Sequence, residues 1–336
     1  MSRIVFYCNE TKSNLETFEY YKQDIDALKT LGHQVIICTK YREIPFDFDI
    51  MFIWWWTYAL IPVLLSRLLR KPCIVTGTYN FRFPTDFDGI DYFRRPAWQR
   101  FLIKKATTLC TLNLFVNQIE LESCSKYFKL NNAHYFPHVL QDDYLLGPSI
   151  DRKIALFNIS WCSKKNLIRK GIPELLEAIK LIKDEGIDIK LTLAGLRGDG
   201  TEVLLNKIDQ LKITSETNYL GMISRDEKIN LLRTNEIYVQ PSHYEGFGVA
   251  IAEAMGCGAC VIVCDVGAVR EVVGNCGIYV TPGSPEELAS AIKKALFDNN
   301  LRKDLQKNAY QRIYDNFHFI KKLERLKNYL LEVGIS

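Results

Sequence analysis

Two carboxylates eight residues apart, Glu245 and Glu253, carry the strongest chemical signal in this sequence. Glu245 lies in Pro241-Ser-His-Tyr-Glu-Gly-Phe-Gly248, a turn after the apolar run Ile237–Gln240, which reads as a buried strand. Glu253 lies in Val249-Ala-Ile-Ala-Glu-Ala-Met255, an Ala-rich helix stopped by Gly256 and Gly258. Its helical neighbours are all apolar, and a helix apolar all round is buried. A buried, unpaired carboxylate costs on the order of several kcal/mol. Ligand hydroxyls can satisfy it; so can a nearby Lys or a backbone amide. The adjoining glycine turn favours the ligand. Cys260–Cys264 then reads as a second buried strand. A strand, a glycine turn and a helix place a helix N-terminus at the carboxyl edge of a parallel sheet, where phosphate-bearing ligands bind.

Glu245-Gly-Phe-Gly248 followed by Glu253-Ala-Met-Gly256 resembles the two-glutamate motif of family 4 of the retaining GT-B glycosyltransferases, the glycosyl transferases group 1. The similarity extends through Ala259-Cys-Val-Ile-Val263 and Gly267-Ala-Val-Arg-Glu271. Arg169-Lys-Gly171 also resembles the family, whose Lys contacts the donor phosphates. The resemblance implies an α/β GT-B fold, two Rossmann-like domains facing across a cleft. Residues 1–148 would form the acceptor-side domain and 149–314 the nucleotide-sugar domain. Residues 315–336 would be a helix crossing back to the first domain. The implied reaction moves a hexose-type sugar, with retained configuration, from a UDP- or GDP-linked donor to a glycan or lipid-linked acceptor. Surface polysaccharide or glycolipid assembly is the implied setting. Glu245 takes the catalytic role. Donor binding falls to Lys170, Arg169, Gly246, Phe247, Gly248, Val249, Glu253, Gly195 and Ile223. Lys170 is read as opening a helix, and replacing it with Ala is expected to weaken nucleotide binding with little change in stability.

Two stretches depart from the family pattern. The first loop reads Asn9 to Asn14 in place of paired glycines, and Gly77-Thr-Tyr-Asn80 replaces a loop with a sugar-facing histidine. Asn9, Thr78, Tyr79 and Asn80 are therefore the acceptor-side candidates. A non-catalytic sugar-nucleotide or glycan-binding protein and a nucleotide-sugar epimerase of the same fold are the alternatives. Turnover separates the first, and a free sugar product without an acceptor the second. No cofactor is expected beyond the nucleotide sugar as co-substrate, and no metal. The Asp-x-Asp pairs Asp24/Asp26, Asp47/Asp49 and Asp86/Asp88 all lie in the first half, away from the donor motifs. Lys170 and helix N-termini are expected to neutralise the leaving diphosphate instead.

These residues need a scaffold, and the chain is long enough for about two domains. It has 336 residues, 48% of them apolar, and a net charge of +4, which does not indicate a nucleic-acid partner. Ten scattered cysteines, several in apolar strands, suit a reducing cytosol rather than a disulfide framework. Cys257, Cys260 and Cys264 read as buried structural residues. The longest apolar run, Ile50 to Leu65, has 16 residues, short of the ~20 that a spanning helix needs.

Arg3–Cys8, a helix from about Leu15 to Leu31 and His33–Cys38 form a βαβ unit, so the sheet should be parallel. His33 reads as structural. Between Ile50 and Ile119 the only acids are Asp86, Asp88 and Asp91. The same stretch holds Arg94, Arg95, Arg100, Lys104 and Lys105 among aromatic residues, a composition suited to an anionic membrane surface. In the second half, Ile154–Ile159 is a strand and Trp161–Arg169 a polar loop. Ile189–Ala194 and Thr217–Leu220 are further strands; Gly195 follows the first, and Gly221-Met-Ile223 follows the second and, the resemblance implies, lies beside the base. Ser224-Arg-Asp-Glu227 and Ser284-Pro-Glu-Glu287 read as capping boxes.

Overall fold

The computed structural model describes residues 1–82, 91–149 and 151–335. Asp86 and Asp88 lie outside them. The chain packs as two compact units. One contains Met1–Arg82, the stretch up to Val139 and the segment from Phe317 onward; the other is built from Leu140–Asn316.

The first unit holds six parallel strands: β1 (Arg3–Cys8), β2 (Gln34–Cys38), β3 (Ile50–Trp54), β4 (Cys73–Gly77), β5 (Leu112–Phe115) and β6 (Ala133–Tyr135). Their order is β2-β1-β3-β4-β5-β6. Strand residues alternate between the two faces. Val5, Tyr7, Met51, Ile53 and Val75 enter one core, with Val63, Ile103 and Ala106 from the covering helices. Ile4, Phe6, Ile50, Phe52 and Ile74 enter the other, with Ile25, Leu28, Leu326 and Leu330. Covering both faces explains the unbroken apolar runs of β1, β3 and β4.

The second unit also holds six parallel strands: β7 (Lys153–Ile159), β8 (Leu191–Ala194), β9 (Thr217–Tyr219), β10 (Asn235–Gln240), β11 (Cys260–Cys264) and β12 (Gly277–Val280). Their order is β12-β11-β10-β7-β8-β9. The chain steps outward from β7 to β9, returns to β10 beside β7, and steps outward the other way. The β7–β10 junction is therefore the topological switch point, where a doubly wound sheet opens a crevice beyond its carboxyl ends.

Three local expectations are corrected. The single helix Leu15–Leu31 is two, Lys12–Thr17 and Glu19–Thr30, because Thr11 caps an earlier start and Phe18 is extended between them. The expected loop Trp161–Arg169 contains the helix Lys164–Arg169, because the Ser163 side chain accepts from the Asn166 N–H. The Ser224 capping box forms as expected. At Ser284 only half of one forms, since Glu287 accepts from the Thr281 N–H instead. Among the described residues no helix is long and apolar enough to cross a membrane.

The final helix, Phe319–Glu332, joins the first unit through a buried charge. Lys322 Nζ lies 2.5 Å from Asp24 Oδ1, and both side chains are only 1% exposed. Trp54 Nε1 donates to Asp24 Oδ2 at 3.0 Å, and Lys322 also donates to Gln23 Oε1 and the Pro137 carbonyl. Removing one partner strands the other. Lys322→Met should lower unfolding free energy by about 3–5 kcal/mol, read from urea unfolding. A loss within error of zero would show that the pair does not hold this helix.

Candidate functional site

The candidate site grows from the loops that follow β7 and β10. Lys170 sits between the helix Lys164–Arg169 and Gly171, the left-handed N-cap (φ 67°) of the helix Ile172–Asp184. A Cβ at Gly171 would come within 2.1 Å of the Pro241 carbonyl, so only glycine lets the two loops touch. The His243 N–H donates to the Arg169 carbonyl at 2.8 Å and straps them together.

That approach delivers Lys170 to Glu245. Lys170 Nζ lies 2.6 Å from Glu245 Oε1, which also accepts from Gln240 Nε2 and Ser242 Oγ, each at 2.8 Å. Arg169 lies 3.6 Å from Glu245 Oε2 and donates to Asn166 Oδ1 and the Tyr244 carbonyl. Gln240 is fixed by the Tyr238 hydroxyl at 2.6 Å. The backbone is fixed as well: the Ala268 N–H donates to the Glu245 carbonyl at 3.0 Å, and a Cβ at Gly267 would come within 2.0 Å of that oxygen. Burial pushes the Glu245 carboxyl up, but the charges of Lys170 and Arg169 and the hydrogen bonds outweigh it and hold the group below its ordinary value. Burial draws the Lys170 ammonium down, against the pull of Glu245 and, more weakly, Glu253. Two cations surround one carboxylate, leaving a surplus of one positive charge beside two helix N-termini, those at Ile172 and Val249. Such a place favours an anion.

Gly246, Phe247 and Gly248 turn the chain into the helix Val249–Gly256, with Phe247 buried and Gly248 as its left-handed N-cap (φ 90°). Glu253 is buried on that helix, and its partner is a Lys. Lys228 Nζ lies 2.7 Å from Glu253 Oε1. Lys228 also lies over the Tyr144 ring, 5.0 Å from its centre, as does Arg225. Gly195 and Ile223 belong to a neighbouring part of the same sheet edge. The Gly195 N–H donates to the Gly221 carbonyl at 2.8 Å, which ties the loop after β8 to the loop after β9.

The acceptor-side candidates occupy the carboxyl edge of the first unit's sheet. Asn9 is exposed after β1; Thr78 and Asn80 are half-buried after β4. Tyr79 turns inward instead, and its hydroxyl meets Thr107 Oγ1 at 3.1 Å. What positions this loop is Glu120, on the helix Gln118–Phe128. Its buried carboxylate accepts from the backbone N–H groups of Tyr79 (2.7 Å), Asn80 (2.6 Å) and Phe81 (3.3 Å). Burial nevertheless raises the Glu120 carboxyl to about 7. Gln240, Ser242 and Lys228 were also missed. A glutamine ending an otherwise apolar strand was the one available signal.

All ten cysteines are free, and burial pushes Cys257, Cys260 and Cys264 up to about 12. Among the described residues no group of three or more His, Cys, Asp or Glu is placed to hold a metal.

Two six-stranded parallel sheets, each flanked by helices, define the GT-B fold. The chain superposes on Anabaena HepE, solved with UDP and glucose, with a TM-score of 0.76 and 16% identity, over 99% of this chain and 100% of that one. Sucrose-phosphate synthase from Thermosynechococcus elongatus gives a TM-score of 0.77 at 16% identity, over 99% of both chains. Residues 158–312, the body of the second unit, match the family model of glycosyl transferases group 1. A Campylobacter jejuni relative, N,N'-diacetylbacillosaminyl-diphospho-undecaprenol alpha-1,3-N-acetylgalactosaminyltransferase, is 28% identical over 91% of this chain and 75% of its own length. The Escherichia coli O-antigen chain mannosyltransferase B is 33% identical over 40% of this chain and 35% of its own. The chain spans between 35% and 43% of the length of several curated relatives that it matches.

Two outcomes follow from the geometry. Lys170 is a partner of a buried carboxylate, which revises the expectation that its loss leaves stability unchanged. Lys170→Met should destabilise the protein by about 3–5 kcal/mol in urea unfolding. An unaltered midpoint would separate Lys170 from Glu245. For Glu120, a folded-state value raised from 4.5 to about 7 makes protonation favour the folded state. Its stabilising contribution is present below about pH 4.5 and lost as pH rises through 7. Melting temperature of the parent relative to Glu120→Gln should therefore fall between pH 5 and pH 7, by an amount equivalent to about 3 kcal/mol. Parallel curves for the two proteins would contradict this.

Proposed function

We propose that this chain is a retaining glycosyltransferase. It moves a hexose-type sugar from a UDP- or GDP-linked donor to a glycan or lipid-linked acceptor, in surface polysaccharide or glycolipid assembly. The observation that carries the reading is the Arg169–Lys170–Glu245 cluster at the β7–β10 switch point, with its surplus positive charge. The names of the relatives support the acceptor class, and UDP bound to HepE supports the donor class. The enzyme would work in the cytoplasm, at the inner face of a membrane.

In this reading the donor diphosphate rests against Arg169, Lys170 and the turn Gly246-Phe-Gly248-Val249, where backbone N–H groups meet it. An ammonium has three donors. Glu245 takes one from Lys170, and the phosphates receive another. Positioned cations then neutralise the leaving diphosphate, and no metal or other cofactor is needed. Glu245, held ionised, stabilises positive charge that develops at the anomeric carbon. Glu253 accepts from ribose hydroxyls while Lys228 steadies it from the protein side. Gly195 and Ile223 border the sugar and the base. Thr78 and Asn80 are the acceptor-side contacts, with Asn9 beyond them.

The two glutamates should fail differently. Glu245→Gln is expected to lower turnover of a nucleotide sugar about a hundredfold while nucleotide affinity survives, since its effect is exerted in the transition state. Glu253→Gln is expected to weaken both nucleotide and nucleotide sugar by about 1.5–3 kcal/mol in calorimetry. Normal turnover in the first variant, or parental affinity in the second, would overturn these roles. Nucleotide binding by the parent without turnover would leave a binding protein. A free sugar product without an acceptor would leave an epimerase.

A further inference from the structure

The helix Leu60–Leu68, which begins inside the apolar run Ile50–Leu65, is only half covered. Pro62, Val63 and Ser66 are buried, while Ile61, Leu64 and Leu68 are 53%, 48% and 80% exposed. Their spacing of three and four residues puts them on one helical face. The helix Ala97–Leu109 packs beside it, and Arg67 donates to the Leu109 carbonyl at 2.9 Å. That helix buries Ile103, Ala106 and Thr107 and exposes Trp98 (62%) and Phe101 (57%) at helical spacing. Val63 of one helix and Ile103 and Ala106 of the other enter the same core on the same face of the first sheet. The uncovered sides of both helices therefore point away from that sheet together. Five large exposed apolar side chains share this surface.

Charge selects what covers it. From Ile50 to Phe115 the described residues include a single acid, Asp91, and it is buried. Arg67, Arg70, Arg94, Lys104 and Lys105 are exposed in the same stretch. Lys105 lies along the exposed Phe101, with its ammonium 5.6 Å from the ring centre. A long cationic side chain on an exposed aromatic ring is suited to a boundary with apolar material below and anions above. A protein partner or a second copy of this chain would have to answer the cationic side chains among the described residues with acids. An anionic lipid surface offers acyl chains and phosphates together.

We propose that the outer face of these two helices docks on an anionic membrane. Ile61, Leu64, Leu68, Trp98 and Phe101 enter the headgroup–acyl boundary, and Lys104, Lys105 and the neighbouring arginines meet lipid phosphates. The inference rests on this surface alone and stands apart from the donor chemistry. It adds an apolar contribution that salt does not screen to the electrostatic attraction of the basic segment.

Flotation of the full chain on phosphatidylcholine vesicles, with and without phosphatidylglycerol, tests this. The parent should float with the anionic vesicles, and part of the binding should survive high salt. Leu64→Ser with Leu68→Ser should abolish the salt-resistant part. Lys104→Glu with Lys105→Glu should lower low-salt binding about tenfold or more. Calorimetry with UDP and GDP on the same variants keeps the two readings separate, because nucleotide affinity should not change. A parent that stays unbound, or variants that float as the parent does, would overturn the proposal. So would a self-association seen in sedimentation that Leu64→Ser removes while no vesicle binding occurs.

Discussion

A negative charge buried where two loops touch governs the candidate site. Glu245 has little contact with water, and its carboxylate is tolerable only because Lys170, Arg169, Gln240 and Ser242 converge on it. Each of those partners requires something of the backbone. Lys170 arrives only because Gly171 adopts a left-handed turn against Pro241. The carboxylate faces inward only because Gly267 lets the Glu245 carbonyl approach. The motif's glycines are thus the steric condition for an ion pair. The ion pair in turn leaves a local surplus of positive charge at the mouth of two helices. Strands β7 and β10 contribute by ending side by side, the one place in this sheet order where neighbouring strands are followed by loops of opposite winding.

Much of this was legible in the sequence, for definite reasons. Strands buried on both faces read as continuous apolar runs, so β10 and β11 were placed nearly residue for residue. The helix Val249–Gly256 was marked by its glycines. What was hidden depended on pairing across long sequence distances. Nothing near Glu253 announces Lys228, which lies 25 residues earlier in a helix whose capping box is explained by local structure alone. Glu120 was hidden similarly, since its three hydrogen bonds reach a loop 39 to 41 residues away. The helix Leu60–Leu68 shows a limit of another kind. An apolar run implies burial, yet hydrophobicity alone does not say which face is covered by protein.

The two sheets solve the same problem with different loops. In the second unit, glycines bring backbone to backbone and free the side chains to form a charged cluster. In the first, where Asn9–Asn14 and Thr78–Asn80 replace the glycine and histidine features of the related family, a buried acid holds the loop by its amides. Glu120 gathers the N–H groups of Tyr79, Asn80 and Phe81 around its carboxylate. Tyr79 is drawn into the aromatic core as a result, leaving Thr78 and Asn80 as the half-buried polar groups of that loop.

The Asp24–Lys322 pair has a consequence for how the chain is made. Asp24 precedes the second unit in the chain and leaves the ribosome before it, and Lys322 follows that unit and leaves after it. Every residue of the second unit emerges in between. That unit therefore has all of its own strands available before the first can neutralise its buried aspartate or cover one face of its sheet with Leu326 and Leu330. The unit that begins the sequence is the last whose core can close, and until then it waits with an open apolar face.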